Sequence, residues 1–221
     1  MPTPADTAAV RALLDAGAQA VEVLPPSAWR TEHLPGAINV PLSQLRADAV
    51  SSLDRNVPTV VYCYDHECDL SARGASVLEL LGFSDVYDYV GSKTAWLGEG
   101  LPSEGDLADD DRVGARARRP PTCPPDATIG DVSDALTADH TIVVLVVDDD
   151  DVVVGALHPR AAGLPATTAV VDAADPGPPT VRPAITRQEL ARSMDDEGQH
   201  HVIVSTSHGR LIGVVHRDDL E

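Results

Sequence analysis

The second half of this chain is written twice, and the repeat fixes more of its architecture than any single motif does. Pro121-Thr122-Cys123 matches Pro179-Thr180-Val181, and Thr128 matches Thr186. Asp131-Val132 matches Glu189-Leu190, and Val152-Val153-Val154-Gly155-Ala156-Leu157-His158 matches Arg210-Leu211-Ile212-Gly213-Val214-Val215-His216, with no gap between the copies. Each copy reads as a short extended segment and an amphipathic helix (Ile129 to Leu136; Arg187 to Met194), then a strand (Ile142 to Val147; His201 to Val204). A turn (Asp148 to Asp151; Ser207 to Gly209) leads into a second strand, and glycine gives the later turn the clearer chemistry. One copy alone exposes an apolar sheet face that its twin must cover, so the pair is expected to fold as one domain. The repeat places Cys123 opposite Val181, as a small packing residue.

The first half carries a different signal. Val60-Val61-Tyr62-Cys63 reads as a buried strand, Tyr64 to Leu70 as a polar loop, and Ser71 to Leu81 as a helix stopped by Gly82. A strand-to-helix loop points backbone N–H groups and the positive helix end at its contents, which favours a nucleophilic thiolate at Cys63. Flanking it are Glu22, Trp29, Arg30 and His33-Leu34-Pro35-Gly36-Ala37. Downstream come Gly91-Ser92-Lys93, Trp96 and Gly100-Leu101-Pro102.

These segments resemble the rhodanese family, which implies a parallel sheet flanked by helices and transfer of sulfane sulfur through a persulfide on the strand-end cysteine. The resemblance departs at the loop. Ser71 stands eight positions after Cys63 and is preceded by Leu70 where the family has an arginine opening its helix. Asp65, Glu67 and Asp69 lie in the loop, and carboxylates there oppose thiol ionisation and repel anions such as thiosulfate. Arg73 and Lys93 are candidates to offset them. Cys68 and Arg73 reproduce the family's cysteine-to-arginine spacing, but a helix beginning after Arg73 would be short, so Cys63 is assigned as nucleophile. Cys68 reads either as a thiol that resolves a persulfide on Cys63 or as a solvent-facing loop residue. The expected sulfur-handling set is Cys63, Cys68, Ser71 and Arg73. Cys63, His66 and Cys68 fit no four-ligand zinc pattern, so no metal is expected.

The repeated half resembles a pair of CBS domains, here of βαββα type, through its element order and through Gly213-Val214-Val215-His216-Arg217-Asp218-Asp219-Leu220. That resemblance implies binding of an adenine nucleotide or other adenosyl ligand between the repeats, and homodimerisation through the pair. Asp219 stands where the family holds ribose hydroxyls, and His216 where it commonly has Thr or Ser at phosphate. The first copy has His158 and Ala161 instead, so one ligand site is expected, at His216 and Asp219.

Length and a hydrophobic content of 43% suit two domains, read as residues 1–105 and 120–221 with a linker at 106–119, where an acidic run meets an arginine cluster. Those arginines are expected to pair locally or stay solvated. With 35 acidic against 16 basic residues, the formal charge of −19 disfavours nucleic acid and anionic membranes as partners. No charged-then-apolar leader, membrane-length apolar stretch or disulfide framework is apparent, so a cytoplasmic protein is expected. Two functions remain: a sulfurtransferase working on a small sulfur donor or persulfide carrier, and a non-catalytic sensor reporting an adenosyl ligand.

Overall fold

A computed structural model describes residues 1–107, 112–138 and 143–220. Ile142 of an expected strand and Ala108 to Asp111 of the expected linker lie outside the described residues. The chain divides into two compact units, Met1–Asp110 and Asp111–Glu221.

The first unit is built on a parallel five-stranded sheet. Its elements run β1 (Thr3–Ala5), α1 (Thr7–Asp15), β2 (Gln19–Glu22), α2 (Pro26–Thr31), β3 (Ile38–Asn39), β4 (Thr59–Tyr62), α3 (Leu70–Leu80), β5 (Val86–Tyr89) and α4 (Ser92–Gly98). The strand order is β1-β5-β4-β2-β3, and every pairing is parallel. β4 is central and wholly buried, as expected of a continuous apolar run in a sheet covered on both faces. Its side chains alternate between two cores. Val60 and Tyr62 pack with Val10, Leu34, Tyr89 and Trp96. Val61 and Cys63 pack with Val21, Val23, Ala75 and Leu78. α3 lies close on the sheet at Gly74, where a Cβ would stand 2.9 Å from Val23 Cγ1. Gly82, with φ +88°, follows its C-terminus.

The second unit reproduces its internal repeat element for element. β6 (Thr122–Cys123), α5 (Ile129–Ala138), β7 (Val144–Val147) and β8 (Val153–Leu157) correspond to β10 (Thr180–Val181), α7 (Arg187–Glu197), β11 (His201–Ser205) and β12 (Leu211–His216). Between the copies lie α6 (Val170–Ala173) and β9 (Asp175–Pro176). Registers agree as well: Cys123 pairs with Val146 as Val181 does with Val204, and both hairpins shift register at the next position, Val147 and Ser205. The helix expected to close each copy is a single 3-10 turn, Pro159–Gly163 and Arg217–Leu220. Leu145 and Ala156 of the first copy share a core with Ile203, Leu211 and Val214 of the second, so each covers the other's apolar face. At the hairpin turns Gly209 has φ +79°, and the matching residue, Asp151, has φ +66°. Cys123 is buried among Ile129, Val132 and Val146.

Residues that the sequence assigned to the linker pack onto the second copy. Val113 is buried with Leu190, Met194 and Val215, and Arg118 pairs backbone to backbone with Val214. Among the described residues, no helix is long and apolar enough to cross a membrane.

Candidate active site

Cys63 directly follows β4 and is fully buried. Its backbone N–H donates to Ser92 Oγ at 3.0 Å, Ser92 Oγ–H donates to the Tyr89 carbonyl at 2.9 Å, and the same hydroxyl lies 3.6 Å from Cys63 Sγ. Ser92 is buried with φ +51°, left-handed backbone that serine adopts at a cost. In the rhodanese resemblance the closing segment begins Gly-Gly, where this chain has Gly91-Ser92. Sequence reasoning quoted Ser92 without giving it a role; a non-glycine residue in that slot was the available signal.

Across the loop, Ser71 sits in the first turn of α3 and is itself buried. Burial pushes the Cys63 thiol up, but hydrogen bonds from the Ser71 hydroxyl, from Cys68, from the Ser92 hydroxyl and from Ser71 N–H outweigh it and hold the thiol below its ordinary value. In the resting geometry the Cys63 thiol donates to the Cys68 carbonyl at 3.3 Å. Cys68 is partly buried, and its thiol is pushed up by burial and then by its hydrogen bond to Cys63.

Two of the loop carboxylates have partners close by in the chain. Asp65 Oδ1 turns back into the loop and accepts from Glu67 N–H and Cys68 N–H, each at 3.1 Å. Asp65 thereby occupies two N–H groups that were expected to serve a developing anion. Asp69 pairs with Arg73 at 3.7 Å, both side chains well exposed. Arg73, a candidate to offset the loop carboxylates, thus meets one of them, at the exposed face of α3. A helix that presents Ser71 inward turns about 200° by the second residue on, which sends Arg73 outward.

Lys93 also departs from expectation. Its ammonium donates to Glu22 Oε1 at 2.9 Å and to the Ala28 carbonyl at 3.3 Å, buried with its partner rather than placed at the loop. Burial pushes the Glu22 carboxyl up, against the opposing pull of Lys93. Alongside, Leu34 N–H donates to the Tyr62 hydroxyl at 3.1 Å, and His33 stacks on Trp29 with ring centroids 4.1 Å apart. The His33-Leu34-Pro35-Gly36-Ala37 segment thus anchors the side chain of Tyr62, the residue before Cys63.

In the second unit, His216 and Asp219 do line one small cavity of about 240 Å³, with Arg118, Arg119, Pro120 and Pro121. Asp219 is paired with Arg118 at 3.4 Å, and Arg119 pairs with Asp151. A larger cavity, about 660 Å³, lies beside His158, Asp175, Thr180 and His201. His158 pairs there with Asp175 at 3.0 Å. His201 is held below its ordinary value by burial and then by His216, His158 and His200. Among the described residues, no three His, Cys, Asp or Glu side chains are grouped to hold a metal ion.

Comparison with known proteins agrees with both halves. Residues 6–99 match the rhodanese-like domain family, and residues 113–161 and 170–220 each match the CBS domain family. The thiosulfate sulfurtransferase GlpE of Pseudomonas syringae is 35% identical over 86 residues, which are 39% of this chain and 78% of that protein. GlpE of Pseudomonas aeruginosa is 32% identical over 87 residues, 39% of this chain and 76% of that protein. A solution structure of the rhodanese-like domain of an Anabaena protein is 26% identical with a TM-score of 0.43, covering 48% of this chain and 82% of that one. The chain therefore belongs to the rhodanese-like family, and a pair of CBS domains follows its rhodanese-like domain.

Proposed function

We propose that the first unit is a sulfurtransferase that carries sulfane sulfur as a persulfide on Cys63. The observation that carries this reading is the buried Cys63 thiol at the end of β4, 3.3 Å from the Cys68 carbonyl and 3.6 Å from Ser92 Oγ, where hydrogen bonds with Ser71, Cys68 and Ser92 hold it below its ordinary value against burial. With thiosulfate as donor, the Cys63 thiolate attacks the outer sulfur, the sulfur–sulfur bond breaks, and sulfite leaves with the electron pair. Ser71 donates to the sulfur that bears charge, and the Ser92 hydroxyl joins it by turning its proton from the Tyr89 carbonyl to the sulfur 3.6 Å away. An acceptor thiolate then removes the outer sulfur and regenerates the Cys63 thiolate. The test is intact mass after exposure to thiosulfate and, separately, to polysulfide. Gain of one sulfur that disappears in Cys63→Ser supports transfer; no sulfur uptake from either donor leaves the unit a binding or sensing module.

For the second unit the reading is regulatory binding of an adenine nucleotide or other adenosyl ligand, with Asp219 on the ribose hydroxyls and His216 and Arg118 near phosphate. The support is that these three residues line one cavity. Ligand entry requires Arg118 to release Asp219. Calorimetric titration with AMP, ATP and S-adenosylmethionine, against Asp219→Ala, tests it, and light scattering tests the homodimer expected of such a pair. Thiol reactivity of Cys63 unaltered by saturating nucleotide would remove the regulatory link.

A further inference from the structure

Cys68 stands in hydrogen-bond contact with the Cys63 thiol, and the loop is folded so as to keep it there. Asp65 Oδ1 and the Asp65 carbonyl both accept from Cys68 N–H, at 3.1 and 3.3 Å, and the Cys63 thiol donates to the Cys68 carbonyl at 3.3 Å. The two positions are five apart in the chain, and a tight turn at Asp65 brings them together. The third cysteine, Cys123, belongs to the other unit and is buried in its core. Of the described thiols, only Cys68 is partly exposed.

We propose that Cys68 resolves the Cys63 persulfide and releases its outer sulfur as hydrosulfide, making the first unit a sulfane-sulfur reductase as well as a carrier. This inference rests on persulfide formation at Cys63. The Cys68 thiolate attacks Cys63 Sγ, a Cys63–Cys68 disulfide forms, the bond to the outer sulfur breaks, and that sulfur leaves with the electron pair as hydrosulfide. The outer sulfur is reduced by two electrons and the two cysteines are oxidised by the same two. The proton given up by Cys68 balances the protonation of the leaving sulfur. A small thiol or dithiol reductant then restores both cysteines by thiol–disulfide exchange. Resolution competes with transfer to an external acceptor, so sulfur reaches an acceptor only where that acceptor arrives before Cys68 attacks.

The experiment is a single turnover of the pre-reduced full-length chain with thiosulfate, with all free thiol removed. Hydrosulfide is trapped as a bimane derivative, and the protein mass is read after rapid alkylation. Wild type is expected to release one hydrosulfide per disulfide formed, leaving Cys63 and Cys68 unalkylated and joined in a single peptide. Cys68→Ser and Cys68→Ala are expected to retain one sulfur on Cys63 and release none, while Cys123→Ser behaves as wild type. A wild-type chain that holds a stable persulfide and releases no hydrosulfide overturns the inference while leaving the carrier reading intact. Sulfur uptake by none of the variants, in chains with native circular dichroism, overturns both.

Discussion

Replacing Ser92 by alanine and by glycine separates two effects that serine combines. Either change removes the hydroxyl that accepts from Cys63 N–H at 3.0 Å, leaving a buried donor unpaired at a cost of about 1–3 kcal/mol. Alanine also keeps a Cβ at φ +51°, whereas glycine relieves it, worth about 1 kcal/mol. Ser92→Gly should therefore be the more stable variant by about 1 kcal/mol, against the usual penalty for glycine. Both tryptophans of the chain, Trp29 and Trp96, lie in the first unit, so their fluorescence in a urea titration reports that unit alone. A difference of that size corresponds to about 4–8 °C in its melting temperature. Both variants should also slow alkylation of Cys63, because both lose the hydroxyl 3.6 Å from the sulfur, which can turn its proton from the Tyr89 carbonyl to a thiolate. Equal stability of the two, or Ser92→Ala the more stable, would refute the strain argument; unaltered alkylation would refute the role of the hydroxyl.

Further expectations concern the charges around the thiol. Removing one member of the buried Glu22–Lys93 pair, as in Lys93→Met, should destabilise the first unit by about 3–5 kcal/mol. The double variant Glu22→Leu with Lys93→Met should recover most of that loss, and tryptophan fluorescence in urea measures both. The Cys63 thiol lies below its ordinary value when folded, so its ionisation stabilises the fold above the unfolded thiol pKa. That contribution disappears as pH falls through the folded value. Iodoacetamide labelling of Cys63 should accordingly rise to its plateau at lower pH than that of Cys68, read peptide by peptide by mass spectrometry. Asp65→Asn removes a negative charge beside the thiol and weakens the grip on the N–H groups of Glu67 and Cys68. The rate with thiosulfate should then rise by about tenfold, the effect of roughly 1.4 kcal/mol, and more than the rate with an uncharged trisulfide donor. Equal gains with both donors would show that anion repulsion is not what Asp65 supplies.

The repeat was legible because two copies in one register must form the same hairpins, and the structure carries even the register shift at matching positions. Cys63 could be placed at a strand end because a fully apolar run followed by a polar loop admits little else. What escaped the sequence depends on approach through space. Glu22 and Lys93 are far apart along the chain and meet because β2 lies beside β4, whose end is packed against the start of α4. Arg73 does offset a loop carboxylate, Asp69, but position along the chain says nothing of helix phase and so did not tell that the pair lies at the surface. Burial of Ser71 fixes that phase and turns Arg73 away. Asp65 was read only as a charge, although an aspartate in a tight loop also takes up N–H groups as an acceptor.

The resting thiol has its proton aimed at the carbonyl of Cys68. A thiolate has no proton to donate, and its negative charge would face the negative end of that carbonyl dipole. Ionisation therefore removes the bond that ties the Cys63 sulfur to the Cys68 carbonyl and leaves the hydrogen bonds around Ser71 as the support for its charge. While it is protonated, the fully buried sulfur presents a small oxidant such as peroxide with neither the thiolate charge nor an open surface.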